Sequence, residues 1–470
     1  MRKILIFMPV LFIFMLFIVV PCAMSQEQNS DEIAELKELV KDLKNQIDEI
    51  QIDHKREVNA LREEIREIRD TRGIVAKEES EAEMLRRLAE NAVGQEEEKE
   101  EYEDTVFKHA GLALQKLNPE ISVTGDIVNA YTVDADTDRF DFNFRNLGIH
   151  IESYLDPYTR FKAAVPVTTS SATIGEAYLT RYGILKNVNF TMGKFRQQFG
   201  VVNRWHKHAL DQVDFPLALR QIFGDGGLNQ TGISFDWAMP PVFDSSQELI
   251  LQVTNGENSR VFSGNTISLP SMLAHYKNYR DLSKDTYLEL GLTGLLGWNG
   301  DWDVSSGGAT VTKKDYQHAA CFGADFTLLW EPTGQMRYRN LEWRNELYWL
   351  NKGIVAPDDS GSDTLNAWGA YSYLQAKVSR TMDIGIRGDF YMPDDKDYAN
   401  LSGLSLAPLA YVEEDAYQWQ ISPYITWWQS PFVKFRLEYN HLDGENFREP
   451  EDRIMLQAVF AVGPHKHERY

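Results

Sequence analysis

The chain has little cysteine, a shortage of basic residues relative to acidic ones, and little continuous hydrophobic sequence. It contains 2 cysteines among 470 residues, and 48 Lys and Arg stand against 70 Asp and Glu, a formal net charge of -22. Such an acidic balance argues against a nucleic-acid partner, because binding phosphates requires a basic surface. A helical membrane protein would show several apolar stretches of about 20 residues. This chain shows one, at its start.

That first stretch has the pattern of a secretion signal. Arg2 and Lys3 supply a positive start, residues 4–20 form an apolar run, and small residues precede Gln26. This pattern predicts a cleaved signal peptide over residues 1–25. A retained membrane anchor is the alternative interpretation of the same run.

The number of cysteines in the mature protein depends on that cleavage. Cleavage before Gln26 removes Cys22 and leaves Cys321 alone, which excludes an intramolecular disulfide and a cysteine-based zinc site. Cys22 would also permit a lipoprotein, but Pro21 fits a lipidation site poorly.

A charged helix is predicted over residues 26–72. Apolar side chains recur at spacings of three and four residues, which is the pattern of a coiled-coil seam. The seam residues are Ile33, Leu36, Val40, Leu43, Ile47, Ile50, Val58, Leu61, Ile65 and Ile68. A single solvated helix lying on the rest of the protein is the alternative. Residues 73–117 are predicted to be an acidic helical linker.

From residue 118 to residue 470 the sequence alternates between apolar and polar residues. Val433, Phe435, Leu437 and Tyr439 fall on one face of an extended strand, and Lys434, Arg436, Glu438 and Asn440 fall on the other. The same alternation recurs in runs separated by Gly, Asp, Asn and Pro. We expect an all-β fold, a transmembrane antiparallel β-barrel of about 16 strands, with lipid outside and water inside. Aromatic residues near the strand ends favour the barrel over a soluble sandwich.

One segment carries a more specific resemblance. Gly193, Lys194 and Phe195 are followed by Phe199 and Gly200 and then by a long loop. This arrangement resembles the phosphate-selective porin O and P family of Gram-negative outer membranes. The resemblance implies a trimeric porin of roughly sixteen strands whose third loop folds inward to narrow the pore. Residues 197–230 are the corresponding candidate here.

Charged residues of that loop and of two strands are the candidate pore-lining or constriction residues. They are Lys194, Arg196, Arg204, Lys207, Asp211, Asp214, Arg220, Glu342, Arg344, Glu346, Lys434, Arg436 and Glu438. Charges confined in a pore select ions, because a low dielectric strengthens each interaction. The acids interleaved among these bases predict a wet, weakly selective interior and depart from a phosphate-selective pattern.

Two histidines suggest zinc binding as an alternative function. His206 and His208 lie close to Asp211 and Asp214 in sequence, and imidazole and carboxylate are ligands that zinc accepts. Ordinary loop packing explains the same residues. No Gly-x-Ser-x-Gly elbow, phosphate loop or dinucleotide fingerprint is present, so neither an enzyme nor a cofactor is expected.

The sequence therefore predicts an outer-membrane, porin-like channel for passive diffusion of small ions or solutes. Outer-membrane lipid surrounds the predicted barrel, and the predicted coiled coil lies in the periplasm and assembles a homotrimer. Two alternatives stay open at this point. The first is a structural tether that joins the membrane to the cell wall or to a periplasmic partner through the coil. The second is a metal channel for zinc uptake.

Overall fold

The computed structural model describes the C-terminal part of the chain with several gaps. The described residues are 108–109, 112–113, 119–133, 138–262, 270–306, 309–356, 360–395, 409–411, 416–445 and 450–463. The predicted signal peptide, the predicted coiled coil and nearly all of the predicted linker lie outside these residues. Residues 464–470 also lie outside them.

Sixteen strands in the described part of the chain close into one barrel. They are β1 (Glu120–Val133), β2 (Asp138–Asp156), β3 (Thr159–Val167), β4 (Glu176–Leu185), β5 (Val188–Arg196), β6 (Asn229–Val242), β7 (Ser245–Thr254), β8 (Ser271–Ser283), β9 (Thr286–Ser306), β10 (Ala309–Trp330), β11 (Asn340–Val355), β12 (Ser362–Ser379), β13 (Met382–Met392), β14 (Tyr417–Ser430), β15 (Val433–Glu445) and β16 (Glu451–Val462). Each strand pairs antiparallel with the next along the chain, and β16 pairs with β1 to close the ring. The predicted antiparallel barrel of about 16 strands is confirmed.

Two small two-stranded sheets are not part of the barrel. Lys108–His109 pairs with Leu112–Ala113, and Asp394–Asp395 pairs with Ala410–Tyr411.

Tight turns join the strands at one end of the barrel, which we call the turn end. In the turn between β6 and β7, Phe243 and Asp244 have φ angles of 49° and 56°. Two consecutive positive φ angles are typical of a type I′ turn, whose twist matches that of the flanking strands. The opposite end, which we call the loop end, carries the long connection between β5 and β6.

Side-chain burial alternates along the strands as the sequence predicts. On β15, Lys434, Arg436 and Glu438 are 2%, 3% and 0% exposed, whereas Leu437 and Tyr439 are 49% and 39% exposed. Because successive side chains point to opposite faces of a strand, the charged group faces the barrel interior and the apolar group faces outward.

The outer face of the barrel is apolar. Leu437 lies between Ile425 on β14 and Leu456 on β16 in the strand register, and all three are exposed. Trp330 and Trp427 are also exposed and stand near the turn end, where a membrane barrel places an aromatic girdle. No helix within the described residues is long and apolar enough to cross a membrane.

An arginine at the centre of this apolar face provides a test of its environment. We expect Leu437→Arg to make folding into lipid vesicles less favourable by about 2–4 kcal/mol, because a charge near the bilayer midplane loses its hydration. Leu437→Phe is the matched control and should fold almost as well as the parent. Equal folding of the arginine variant would show that this face does not contact lipid. The measurement is denaturant titration of the vesicle-bound protein.

Candidate constriction site in the barrel interior

The connection between β5 and β6, residues 197–228, folds into the barrel; we call it the inner loop. It contains 3₁₀ turns at Val202–Arg204 and Lys207–Ala209 and the helix α1 at Leu217–Phe223. Its backbone amides and carbonyls bond to inward side chains of β7, β9, β11, β13 and β15. The inner loop therefore contacts the wall on several sides of the interior.

An apolar core attaches the inner loop to one side of the wall. Phe199 stacks on Tyr348 of β11 with ring centroids 5.6 Å apart, and Phe223 meets Phe199 edge-on at 4.9 Å. Leu219 and Ile222 of α1 are fully buried in the same cluster. The cluster also includes inward residues of β8 to β13, namely Leu273, Leu295, Cys321, Leu350, Leu365 and Tyr391. This part of the interior is a packed core and not open water.

Glu346 on β11 holds the start of the inner loop. One carboxylate oxygen accepts the backbone N–H of Val201 and of Val202, each at 2.9 Å. The hydroxyls of Tyr348 and Tyr371 donate to the same carboxylate at 2.5 and 2.8 Å. The close approach needs a glycine before Val201, since a Cβ on Gly200 would lie 2.3 Å from Glu346 Oε2 and the φ angle there is +58°.

Four further charged side chains hold the middle of the inner loop. Asp389 accepts the backbone N–H of Leu217 at 2.9 Å, and Glu438 accepts that of Val213 at 2.8 Å. Two arginines donate to backbone carbonyls of the loop. Arg387 donates to the carbonyl of Asp214 and Arg436 to that of Leu210, each at 2.8 Å. Charged partners make strong hydrogen bonds to a backbone removed from water.

These contacts change the interpretation of the strand residues predicted to line a pore. Glu342, Arg344, Glu346, Lys434, Arg436 and Glu438 lie in the interior, but none is more than 6% exposed. Arg344 pairs with Glu342 at 2.7 Å and lies 4.8 Å from the ring of Trp205. The expectation that these faces are wet is wrong, because they are covered. Five of the six contact the inner loop directly, and Glu342 contacts it through Tyr373.

Three residues predicted near the constriction also have other positions or partners. Arg196 donates to the carbonyls of Asn203 and Gly226, so it braces the inner loop internally. Asp211 accepts from the Tyr373 hydroxyl at 3.0 Å and is 8% exposed. Lys194 shares the outward side of β5 with Met192, which is 56% exposed, so its assignment to the constriction is wrong.

Arg204, a further candidate, donates to the carbonyl of Arg196 at 3.0 Å and is partly buried. It closes the base of the inner loop.

Asp214 lies at the centre of a basic group. Its carboxylate is 3.4 Å from Arg145 Nη1 and 3.9 Å from Arg453 Nη1. Burial raises the pKa of Asp214, but nearby positive charges outweigh burial and hold the pKa below its ordinary value. The charges belong to Arg145, Arg220, Arg453 and Lys207. Asp214 and Arg453 keep 20% and 29% of their side chains exposed, so this group borders open space.

That open space is a cavity of about 660 Å³ between α1 and the wall formed by β1, β2 and β14 to β16. Basic, acidic and amide side chains all line it. The charged lining residues are Arg139, Asp141, Arg220, Glu451 and Arg453. The cavity faces the side of the inner loop that the apolar core leaves uncovered.

The two histidines of the predicted zinc site meet a third, His150 of β2. The ring centroids of the three lie 5.3 to 5.4 Å apart. In the part of the chain that the structure describes, however, no group of three or more His, Cys, Asp or Glu could hold a metal ion. His206 and His208 are therefore not assigned as metal ligands.

Several important residues were absent from the sequence prediction. His150 and Arg387 stand on the polar sides of their strands, so alternation is a signal that could have identified them as inward, but it gives them no partner. Arg145, Asp389 and Arg453 gave no stronger signal than any other inward charge. Only the position of the inner loop distinguishes them, because their partners lie 68 to 239 residues away along the chain.

Comparison with known proteins adds information about the fold. No family model matches the chain. An uncharacterized protein of Aquifex aeolicus (strain VF5) is 30% identical over 123 residues, which cover 26% of this chain and 25% of that protein. The match thus spans about a quarter of that relative's length.

Solved structures of outer-membrane proteins resemble the barrel. The outer membrane channel DcaP of Acinetobacter baumannii has a TM-score of 0.50 at 13% identity, covering 76% of this chain and 99% of that one. An anion-selective porin from Comamonas acidovorans has a TM-score of 0.47 at 10% identity, covering 73% and 100%. The likeness to DcaP shows a shared fold.

Removing the charge of Glu346 tests the anchoring of the inner loop. We expect Glu346→Gln to lower the free energy of unfolding by about 1–3 kcal/mol, because the amide cannot accept from all four donors. Glu120→Gln, at the exposed rim of β1, is the control and should change little. Denaturant unfolding measures both. Equal stability of the two variants would contradict the anchoring role.

Proposed function

We propose that this chain is an outer-membrane channel of the porin type, through which small hydrophilic solutes diffuse passively. The observation that carries the proposal is a closed barrel with an apolar outer face and a polar interior into which one long loop folds. In a closed barrel every strand is hydrogen-bonded on both sides and no edge strand remains. A β-sheet in lipid needs this, because lipid offers no partner for unpaired backbone groups. The fold shared with the channel DcaP supports this function.

The solute path follows the wall opposite the apolar core. Phe199, Leu219 and Ile222 pack into the apolar cluster beside β8 to β13. The cavity of about 660 Å³ lies beside β1, β2 and β14 to β16 and carries a charged and amide lining. Solutes enter this cavity from the loop end and pass the basic group around Asp214.

The selectivity of the path is set by that basic group. Four cationic side chains surround Asp214, and Asp126 lies 3.3 Å from one of them, Arg145, so the local charge is positive. Asp141 and Glu451 at the cavity partly balance this charge. A weak preference for anions follows, since charges in a confined space act on ions more strongly than in bulk water. Of the predicted constriction residues, Lys207, Asp214 and Arg220 belong to this group.

Planar-bilayer recording tests both the channel and its selectivity. We expect ion conductance from the purified protein, and we expect Asp214→Asn to raise the anion-to-cation permeability ratio roughly two- to threefold, because one negative charge leaves the path. Asp244→Asn, in an exposed turn, is the matched control and should leave the ratio unchanged. A folded barrel without conductance would refute the channel function. An unchanged permeability ratio in the Asp214 variant would show that ions do not pass close to Asp214.

The proposal also assigns a role to the predicted coiled coil, residues 26–72, as the segment that assembles a homotrimer in the periplasm. A seam of apolar residues at heptad-like spacing associates helices, which supports this role. A tether to the cell wall would use the same segment.

Deleting residues 26–105 tests that role. We expect the mass in detergent to fall from that of a trimer to that of a monomer, while the conductance of each barrel stays the same. Light scattering after size-exclusion chromatography measures the mass. A deleted protein that is still trimeric would contradict assembly by the coil, and unchanged envelope integrity in cells carrying it would contradict a tether.

A further inference from the structure

Three histidines meet where the inner loop touches the wall of the barrel, and we call them the histidine cluster. His150 comes from β2, while His206 and His208 come from the loop. The ring centroid of His150 lies 5.4 Å from that of His206 and 5.3 Å from that of His208. The centroids of the two loop rings lie 5.4 Å apart, and these two rings are nearly parallel. His150 and His208 are 6% and 4% exposed. The rings therefore form much of the contact between this part of the loop and the wall.

Neighbouring side chains fix the rings in place. Glu176 Oε2 on β4 is 3.1 Å from His206 Nε2, and Thr124 Oγ1 on β1 is 3.2 Å from His150 Nε2. Gly148 makes room for the second contact, because a Cβ there would lie 2.6 Å from Thr124 Oγ1 and 2.9 Å from His150 Nε2.

The charges that face the cluster are mostly positive. Lys162 of β3 and Arg196 of β5 act on His206, and Arg204 of the loop lies beside Glu176. Glu176 is the carboxylate that contacts the cluster, and Glu152 of β2, which also acts on Lys162, pairs with Arg160. Lys207, between the two loop histidines, belongs to the basic group around Asp214. A proton added to His206 therefore meets the cost of burial and repulsion from nearby cations, which Glu176 offsets only in part.

Protonation of the cluster opposes docking of the loop. Burial lowers the pKa of His206 below its ordinary value, and the hydrogen bond and charge of Glu176 offset this only in part. A released histidine titrates at about 6.5. Because the docked pKa is lower than the released pKa, docking is at full strength above about pH 6.5 and weakens as the pH falls below it.

We propose that the histidine cluster is a proton-sensitive latch, which holds residues 206–209 of the inner loop against β1, β2 and β4 at neutral pH and releases them in acid. Histidine is the side chain suited to this role, because its ordinary titration lies between pH 5 and 8. Release widens the space between the inner loop and this wall, so conductance rises as the pH falls. The effect on conductance rests on the proposed channel function, whereas the release of the loop does not.

Hydrogen exchange of the full-length protein tests the latch directly. The protection of backbone amides in residues 203–212 is measured from pH 7.5 to pH 5.0 and corrected for the intrinsic pH dependence of exchange. We expect protection to fall as the pH drops below about 6.5, by at most about tenfold per pH unit for each histidine that titrates. In the double variant His206→Gln/His208→Gln, protection should change less than twofold over the same range.

A matched control separates the cluster from histidines in general. His318 is exposed on β10, far from the inner loop in sequence and bonded to Asn351. His318→Gln should keep the full pH response of the parent. A parent protein with pH-independent protection overturns the proposal, as does a double variant that responds like the parent.

A second variant keeps the proposal testable if the double variant does not fold. Gly148→Ala displaces His150, so it should lower the protection of residues 203–212 at pH 7.5 and flatten their pH response. Full protection with an unchanged response would count against the latch. In bilayers, the parent should conduct more below about pH 6.5. Acid-induced loop exchange without any conductance would refute the channel function and leave the latch intact.

Discussion

The structure depends on hydrogen bonds between charged side chains of the barrel and the backbone of the inner loop. A loop taken into a barrel loses water as a partner for its N–H and C=O groups, and each unpaired group costs free energy. Glu346, Asp389 and Glu438 accept from loop amides, while Arg387 and Arg436 donate to loop carbonyls. The position of the inner loop, and with it the shape of the interior, follows from these contacts.

Two halves of the interior result from this anchoring. On the β8 to β13 side, Phe199 and α1 bury apolar side chains against Tyr348 and its neighbours, and the hydrophobic effect holds the loop to that wall. On the opposite side the contacts are polar, and the basic group around Asp214 borders a cavity. The histidine cluster lies among these polar contacts, where a change of charge can act on docking.

Much of the fold could be predicted because its signal is local. Period-two alternation separates Lys434 and Arg436 from Leu437 within a single strand, and it identified the inward and outward faces before any partner was known. The same rule, carried to β5, would have placed Lys194 outward with Met192. The error there came from weighing a family motif above the alternation. The site was less predictable, since an inward charge looks the same in sequence whether it faces water or a loop.

The sequence by itself determined a barrel of about 16 strands, an apolar outside and a charged inside, because each of these depends on residues adjacent in one strand. Only the tertiary structure decided what the inward charges touch. Val201 and Glu346 are 145 residues apart along the chain, and His150 and His206 come from different elements. Closure of the ring and entry of the inner loop bring such residues together. Charges that alternation predicted to face water thereby became the anchors of a loop, and a predicted pair of metal ligands became part of a group of three histidines.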